Sequence, residues 1–180
     1  MPTVVVGGSA RHVGKTSLIC GLIAAFPKCP WTAIKITSHD HGKSGHVWEE
    51  TEPGQGTDTA RYLAAGARRT LLVTACDGKI PAAQLRAVIA EDRWLIFETN
   101  QIQLVDEPGL VLAVAGAEKA EAKPSFAALL RRADAIIHTG SGPTAQHSTR
   151  PVFVLPDLQH PSSDLINWMR TRLGPSAPVR

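Results

Sequence analysis

Two kinds of apolar pattern follow one another along the chain. A short β-branched, apolar run over residues 3–6 predicts a strand buried on both faces, and further strand-like apolar runs cover residues 31–37, 70–74, 94–98, 110–115, 135–139 and 152–155. Apolar residues spaced three and four apart predict helices over residues 16–26, 58–65, 82–90, 125–132 and 163–173. Because strands that alternate with helices form parallel βαβ units, we expect a three-layer α/β fold with a mostly parallel central sheet.

Turn-forming residues mark the boundaries of these elements. Gly7 and Gly8 are expected to end the first strand, and Asp58 is expected to cap a helix that stops at Gly66. Residues 38–56 are polar and rich in glycine, which predicts a long loop that is mobile or ordered by a ligand.

The composition is that of an ordinary globular protein, with 43% hydrophobic and 19% charged residues among 180. We expect one domain over residues 1–174 and a flexible tail over 175–180. No apolar run approaches the roughly 18 residues that span a bilayer, and the first residues lack a signal-peptide pattern. The three scattered cysteines fit reduced thiols, and the net charge of +3 requires no nucleic acid. These features predict a cytoplasmic protein without a membrane or nucleic-acid partner.

A glycine-rich segment joins the first strand to the first helix. Its glycines let backbone N–H groups turn inward around phosphate oxygens, and the helix amino terminus adds unpaired donors. Lys15 is expected to reach the β and γ phosphates, and Thr16 to coordinate magnesium. The alternative is a glycine-rich turn that happens to precede Lys-Thr. The segment predicts a P-loop NTPase that binds a nucleoside triphosphate through Gly8, Ser9, Arg11, His12, Val13, Gly14, Lys15, Thr16 and Ser17.

The spacing of this loop is unusual. Five residues separate Gly8 from Gly14, whereas the common motif has four. The longer loop resembles those of dethiobiotin synthetase and of cobyric acid synthase-type amidotransferase domains, rather than those of small Ras-like GTPases.

Four further segments narrow the relationship, and they cover residues 34–40, 58–67, 94–98 and 150–157. In this order they resemble segments of the molybdopterin-guanine dinucleotide biosynthesis adaptor family, MobB, and the helical motif Asp-Thr-Ala-Arg is the most specific. The chain departs from the family after Glu98, where Thr-Asn-Gln stands in place of the usual Gly-Phe-Lys, and at Ile36, where histidine is common. The chain is therefore identified as a divergent member.

The resemblance implies a set of ligands and partners. It implies GTP as the nucleotide, with ATP left open, together with Mg²⁺ and weak GTP hydrolysis. It further implies molybdopterin and a molybdenum-cofactor nucleotidyltransferase as partners, and a homodimer as the assembly.

Three residues outside the loop are candidates for chemistry at the phosphates. Lys35 lies at the carboxyl end of a strand, where it is expected to meet the γ phosphate or a second substrate, or else to be a solvated lysine. Glu98 is expected to bind magnesium or its water, or to orient a nucleophilic water; the alternative is a cap for the following turn. Asp40 is a candidate magnesium ligand or a plain loop carboxylate. The predicted catalytic residues are Lys15, Glu98 and Lys35, and the predicted metal ligands are Thr16, Asp40 and Glu98.

Two other features have more than one interpretation. Asp58 and Arg61 lie three residues apart on one helix and form either a surface ion pair or a contact that orders the long loop. The tryptophans are expected to be packing residues, except that Trp48, in the polar loop, is a candidate to cover a ligand.

The sequence also fits other functions. The longer loop and Lys35 also fit an ATP-dependent biosynthetic enzyme resembling dethiobiotin synthetase, or a small kinase. A third possibility is a nucleotide-dependent switch with no biosynthetic role.

Overall fold

The computed structural model describes residues 2–37, 46–75, 79–105, 108–116, 124–140 and 149–174. Within them one sheet contains the strands β1 (Thr3–Gly8), β2 (Trp31–Thr37), β3 (Val47–Glu50), β4 (Arg69–Thr74), β5 (Trp94–Glu98), β6 (Leu110–Ala115), β7 (Ala135–Thr139) and β8 (Val152–Leu155). The helices are α1 (Lys15–Ala25), α2 (Asp58–Ala64), α3 (Ala82–Val88), α4 (Pro124–Arg132) and α5 (Ser163–Leu173). A 3₁₀ turn covers Ile102–Leu104. The predicted helices and strands are therefore confirmed to within about two residues.

The strand order in the described sheet is β3-β4-β2-β5-β1-β6-β7-β8. Each neighbouring pair is parallel except β3 and β4, which are antiparallel. One apolar cluster joins α1 and α5 to one face of the sheet, and a second joins α3 and α4 to the other face. The three-layer α/β fold with a mostly parallel sheet is thereby confirmed.

The end of β1 differs from the prediction. Gly7 and Gly8 do not end the strand; they continue it and pair with Ala113 and Val114 of β6. A Cβ on Gly7 would lie 2.2 Å from Cδ1 of Leu129 on α4. Glycine is therefore required here for close packing of the helix on the strand, and the strand reaches the phosphate loop directly.

A short strand lies inside the stretch predicted to be a loop. β3 pairs along the outer edge of β4, and Arg69 joins the two strands through a salt bridge of 2.8 Å to Glu49. The guanidinium of Arg69 also lies 2.9 Å from the buried carboxylate of Asp92. The ion pairs of Arg69 with Glu49 and Asp92 hold β3 at the sheet edge. The prediction of a loop is therefore wrong for Val47–Glu50.

The start of α2 also differs in detail. Thr57 is the capping residue, because its hydroxyl accepts the backbone N–H of Ala60 at 3.1 Å, and Asp58 is the first helical residue. The carboxylate of Asp58 is thereby available for a contact with Lys35 on the neighbouring strand β2. At the other end, Gly66 adopts φ +104°, as the predicted helix stop requires.

Candidate phosphate-binding site

The turn between β1 and α1 has the backbone that the loop motif predicts. Gly14 precedes the helix with φ 93° and ψ 17°, in the left-handed region, and a Cβ there would lie 2.1 Å from Cδ1 of Leu158. His12 also has a positive φ, of 57°. Two left-handed residues in one short segment turn the chain sharply into the amino terminus of α1, which is how backbone N–H groups come to face one point.

Asn100 holds the first glycine of the loop. The Gly8 N–H donates to Oδ1 of Asn100 at 2.7 Å, and Nδ2 of Asn100 donates to the Gly8 carbonyl at 2.9 Å. In the sequence, Asn100 is only a departure from the family pattern, and it is not among the predicted site residues. Its only signal was its position just beyond Glu98, at the carboxyl edge of the neighbouring strand.

The middle of the loop is anchored on its other side. The Ser9 N–H donates to the Val114 carbonyl at 2.9 Å, and the Ser9 hydroxyl accepts the Gly116 N–H at 3.2 Å. Val13 is buried in the core. Of the predicted phosphate-binding residues, Ser9 and Val13 therefore support the loop, whereas Arg11 and His12 are exposed and line the open cleft above it.

The side chains at the start of α1 point to different partners. The ammonium of Lys15 donates to the Ala10 carbonyl at 3.1 Å, so it crosses back over the loop. The Thr16 hydroxyl donates to Oε2 of Glu98 at 2.9 Å. The Ser17 hydroxyl accepts from Nη2 of Arg61 at 3.3 Å, which ties α1 to α2.

Glu98 is the centre of a buried polar network. It ends β5, between Val6 of β1 and Lys35 of β2 in the sheet register, and only 6% of it is exposed. Besides Thr16, its carboxylate accepts hydrogen bonds from the buried hydroxyl of Tyr62 and from Nζ of Lys35, the latter at 3.4 Å. Burial, followed by the charge of Glu98, raises the pKa of Tyr62 well above its usual value, so the phenol stays a donor. None of these contacts is a turn cap.

Lys35 is shared between two carboxylates, Glu98 and Asp58. Burial lowers the pKa of Lys35, but the charges of Glu98 and Asp58 outweigh it and raise the pKa above the usual 10.5. Burial raises the pKa of Asp58, and the ammonium of Lys35 overcomes this and lowers it below 3.8. Arg61 lies 3.9 Å from Asp58, so that pair is the weaker of the two contacts. Lys35 is therefore a charged member of the site rather than a solvated strand end.

These groups line one open cleft of about 1100 Å³. The amino termini of α1 and α2 face it from two sides, and the carboxyl ends of β2 and β5 form its floor. Most of the predicted site residues meet there: Arg11, His12, Gly14, Lys15, Thr16, Ser17, Lys35 and Glu98. Asp40, the remaining predicted metal ligand, lies outside the described residues.

The oxygens of Thr16 and Glu98 fit a magnesium ion. They are hard ligands, they are adjacent at 2.9 Å, and they stand where the loop meets the helix. Across the parts of the chain that the structure describes, no group of three His, Cys, Asp or Glu side chains is arranged to hold a metal. Magnesium needs no such cage, because it is usually held by one or two protein oxygens together with substrate phosphates.

Comparison with known proteins gives two structural neighbours. The sequence matches no protein-family model, and no curated protein matches it. A MobB protein homolog from Bacillus stearothermophilus superimposes with a TM-score of 0.53 at 18% identity, over 96% of this chain and 98% of the other. LpxK from Aquifex aeolicus, solved in complex with ATP, gives a TM-score of 0.54 at 18% identity over 86% of this chain.

This chain spans 53%, about half, of the length of LpxK and nearly all of the MobB homolog. Both neighbours have the P-loop NTPase fold, and the chain therefore has that fold as well. No helix within the described ranges is long and apolar enough to cross a membrane.

Proposed function

We propose that this protein binds a nucleoside triphosphate with Mg²⁺ at the loop Gly8–Ser17 and hydrolyses it slowly. The observation that carries the proposal is the turn itself. A left-handed Gly14 opens an 11-residue helix, and Lys15 and Thr16 follow at its first two positions. A buried carboxylate, Glu98, stands 2.9 Å from the Thr16 hydroxyl. A strand, a turn of this kind and a helix together form the phosphate cradle of P-loop proteins.

Each side chain has a defined task in this proposal. Lys15 neutralises charge on the β and γ phosphates, and the backbone N–H groups before α1 fix their oxygens. Thr16 and Glu98 supply protein oxygens to Mg²⁺, which when bound neutralises charge that develops between the β and γ phosphates. Glu98 also orients the attacking water, and the positive charge of Lys35 offsets negative charge on the terminal phosphate without a direct hydrogen bond.

We further propose that the nucleotide is GTP and that the protein acts in the maturation of the molybdenum cofactor. The four MobB-like segments support it, as does the likeness to the MobB homolog over nearly the full length of both chains. In this setting the protein assists the attachment of GMP to molybdopterin and works beside a nucleotidyltransferase. The homodimer implied by the resemblance belongs to the same assignment.

A second candidate is an ATP-dependent enzyme that acts on a small molecule. The cleft favours it, because about 1100 Å³ is more than a triphosphate tail fills, and the cleft continues past Lys35 along the sheet. The neighbour solved with ATP is consistent with it. A kinase or a ligase resembling dethiobiotin synthetase belongs to this class.

One set of assays separates the two candidates. Purified protein is titrated with GTP and with ATP in the presence of Mg²⁺, and turnover is measured with and without a molybdenum-cofactor nucleotidyltransferase and molybdopterin. Preference for GTP with association to either partner supports the adaptor. Rapid turnover of ATP that depends on an added small molecule supports the enzyme. Failure to bind either nucleotide contradicts both.

A further inference from the structure

Four side chains form one continuous row across four neighbouring strands. Trp48 of β3 is the register partner of Leu72 of β4, Leu72 is the partner of Lys35 of β2, and Lys35 is the partner of Glu98 of β5. Register partners in a sheet project from the same face. The row therefore lies on one face, the one that also carries α1 and α2.

The row changes from buried and charged to exposed and apolar. Glu98 is 6% exposed, Leu72 is half-buried, and Trp48 is 42% exposed at the sheet edge. All four residues of the row line the same cleft as the phosphate loop. The row therefore forms a floor that opens outward from the phosphate loop.

The direction of the row relates it to the nucleotide. Glu98 touches Thr16 at the start of α1, and each further member lies one strand farther from β1. A triphosphate held by Lys15 and Thr16 has its terminal phosphate beside Glu98 and Lys35. The remaining floor, Leu72 and Trp48, then extends beyond the terminal phosphate.

The chemistry of the floor defines what it fits. An ammonium has three N–H donors, and the contacts of Lys35 with the described residues, Asp58 and Glu98, use two of them. The third donor suits an oxygen of a hydroxyl, carboxylate or phosphate group. Leu72 and the indole of Trp48 suit a flat apolar ring, because aromatic rings pack on one another and on aliphatic side chains.

We infer that this row is the subsite for a second, small-molecule substrate that joins a planar ring to an anionic oxygen group. This inference rests on the proposed function, because it places the ligand beyond the terminal phosphate of a bound nucleotide. The polar group lies at Lys35 and the ring lies over Leu72 and Trp48. Trp48 is a specificity-determining residue of the subsite and takes no part in holding the nucleotide.

The test uses the full chain saturated with Mg²⁺ and the non-hydrolysable triphosphate that it binds more tightly. The phosphate loop is then filled, and phenyl phosphate serves as the probe, with methyl phosphate as a probe of the same charge without a ring. Binding is titrated by saturation-transfer NMR. Phenyl phosphate is expected to bind and methyl phosphate to bind about two- to tenfold more weakly, because ring stacking contributes a factor of that size.

Variants locate the probe on the row. Trp48→Ala is expected to lower the affinity for phenyl phosphate about three- to tenfold. Trp48→Phe is expected to retain most of the wild-type affinity because it keeps a ring. Val154→Ala is the matched control, since Val154 is the other exposed large apolar side chain among the described residues and lies on β8 at the opposite edge of the described sheet.

The outcomes separate this inference from the proposed function. Equal affinity for the two probes would overturn the inferred subsite and leave the proposed nucleotide binding intact. An equal loss of phenyl phosphate affinity in Trp48→Ala and Val154→Ala would do the same. If the wild-type protein binds no triphosphate with Mg²⁺, the proposed function fails and the subsite falls with it.

Discussion

Asn100 and Gly8 form a paired contact between residues 92 positions apart, in which one carboxamide satisfies both backbone groups of a single glycine. The contact joins the residues that follow β5 to the last residue of β1. Because Glu98, the last residue of β5, also reaches Thr16, the end of β5 and the residues just after it touch the phosphate loop at both of its ends. The loop is thereby held in its turned conformation by the neighbouring strand.

Replacing Asn100 is expected to loosen this loop. Asn100→Ala removes two hydrogen bonds and leaves the Gly8 N–H and carbonyl without that partner, so the free energy of unfolding falls by about 1–3 kcal/mol. Nucleotide affinity falls with it, by about tenfold. Urea denaturation and calorimetric titration measure the two effects. Asn167→Ala is the matched control, since Asn167 is exposed on α5 and contacts Arg170. Equal effects for both variants would exclude the bracing role.

The left-handed Gly14 gives a second prediction, with Gly66 as its control. Both have positive φ, of 93° and 104°, but a Cβ on Gly14 meets Leu158 at 2.1 Å, whereas one on Gly66 meets Ile23 at 4.0 Å. Gly66→Ala should therefore cost about 1–2 kcal/mol of stability from the backbone alone. Gly14→Ala should cost a further 1–3 kcal/mol, roughly, from overpacking. Urea unfolding compares the two variants. Nucleotide binding retained at full strength by Gly14→Ala would contradict the cradle.

Glu98 is expected to act in hydrolysis more than in nucleotide binding. Glu98→Gln keeps the size of the side chain but removes the charge that suits Mg²⁺, so the rate of hydrolysis should fall by at least about tenfold. The gain in nucleotide affinity on adding Mg²⁺ should shrink as well. Steady-state phosphate release measures the first effect and titration with and without Mg²⁺ the second.

Two further variants control for the structural part of this change. Tyr62→Phe removes one donor to Glu98 but keeps the carboxylate, so it should lower the rate less than Glu98→Gln does. Glu91→Gln changes an exposed carboxylate after α3 and should leave the rate as it is. A Glu98→Gln variant with the wild-type rate would rule out the catalytic assignment.

The pair of Lys35 and Asp58 predicts a pH dependence. The folded-state pKa of Asp58 is lowered from its ordinary value of 3.8. Its contribution to the free energy of unfolding is therefore present above pH 3.8 and is lost as the pH falls through the lowered pKa. The pKa of Lys35 is raised, so its stabilisation is present below 10.5 and is lost as the pH rises through the raised pKa. The coupling is expected to be constant between these limits.

A double-mutant cycle with Lys35→Met and Asp58→Asn measures this coupling by urea unfolding. Coupling at neutral pH that disappears as the pH falls below 3.8 and through the lowered pKa of Asp58 agrees with the shift. Since the side chains are 22% and 31% exposed, added salt should also weaken it. Coupling that grows on acidification would contradict the sign of the Asp58 shift.

The sequence predicts most of the fold because its signals are local. The β-branched runs and helical spacings specify, over a few residues each, the seven parallel strands and five helices found in the described part of the chain. β3 escapes prediction because Val47–Glu50 is short and half polar, and its place depends on pairing with β4 and on Arg69, about 20 residues away. Gly8 escapes prediction for the same reason, because the sequence predicts a strand end there and only the pairing with Val114 of β6 shows that the strand continues.

The candidate site is likewise predictable only where its signals are local. Lys15 and Thr16 follow from a contiguous motif, and Glu98 and Lys35 from their positions at strand ends. The contacts between them do not follow, since the Lys35–Asp58 pair and the Asn100–Gly8 pair join distant segments. The spacing of Asp58 and Arg61 allows a surface ion pair or a contact that orders the long loop, and Asp58 itself is predicted to cap the helix. Its carboxylate lies 3.9 Å from Arg61 and also contacts Lys35 on β2, because Thr57 takes the capping position.

The most direct test of the central claim is a calorimetric titration with Mg²⁺ and each of GTP, ATP and their diphosphates, on the wild-type protein and on Lys15→Ala. We predict that the wild type binds at least one triphosphate more tightly than its diphosphate, and that Lys15→Ala loses this preference together with most of the affinity. Equal binding by the two proteins would show that the loop from Gly8 to Ser17 is not the nucleotide site.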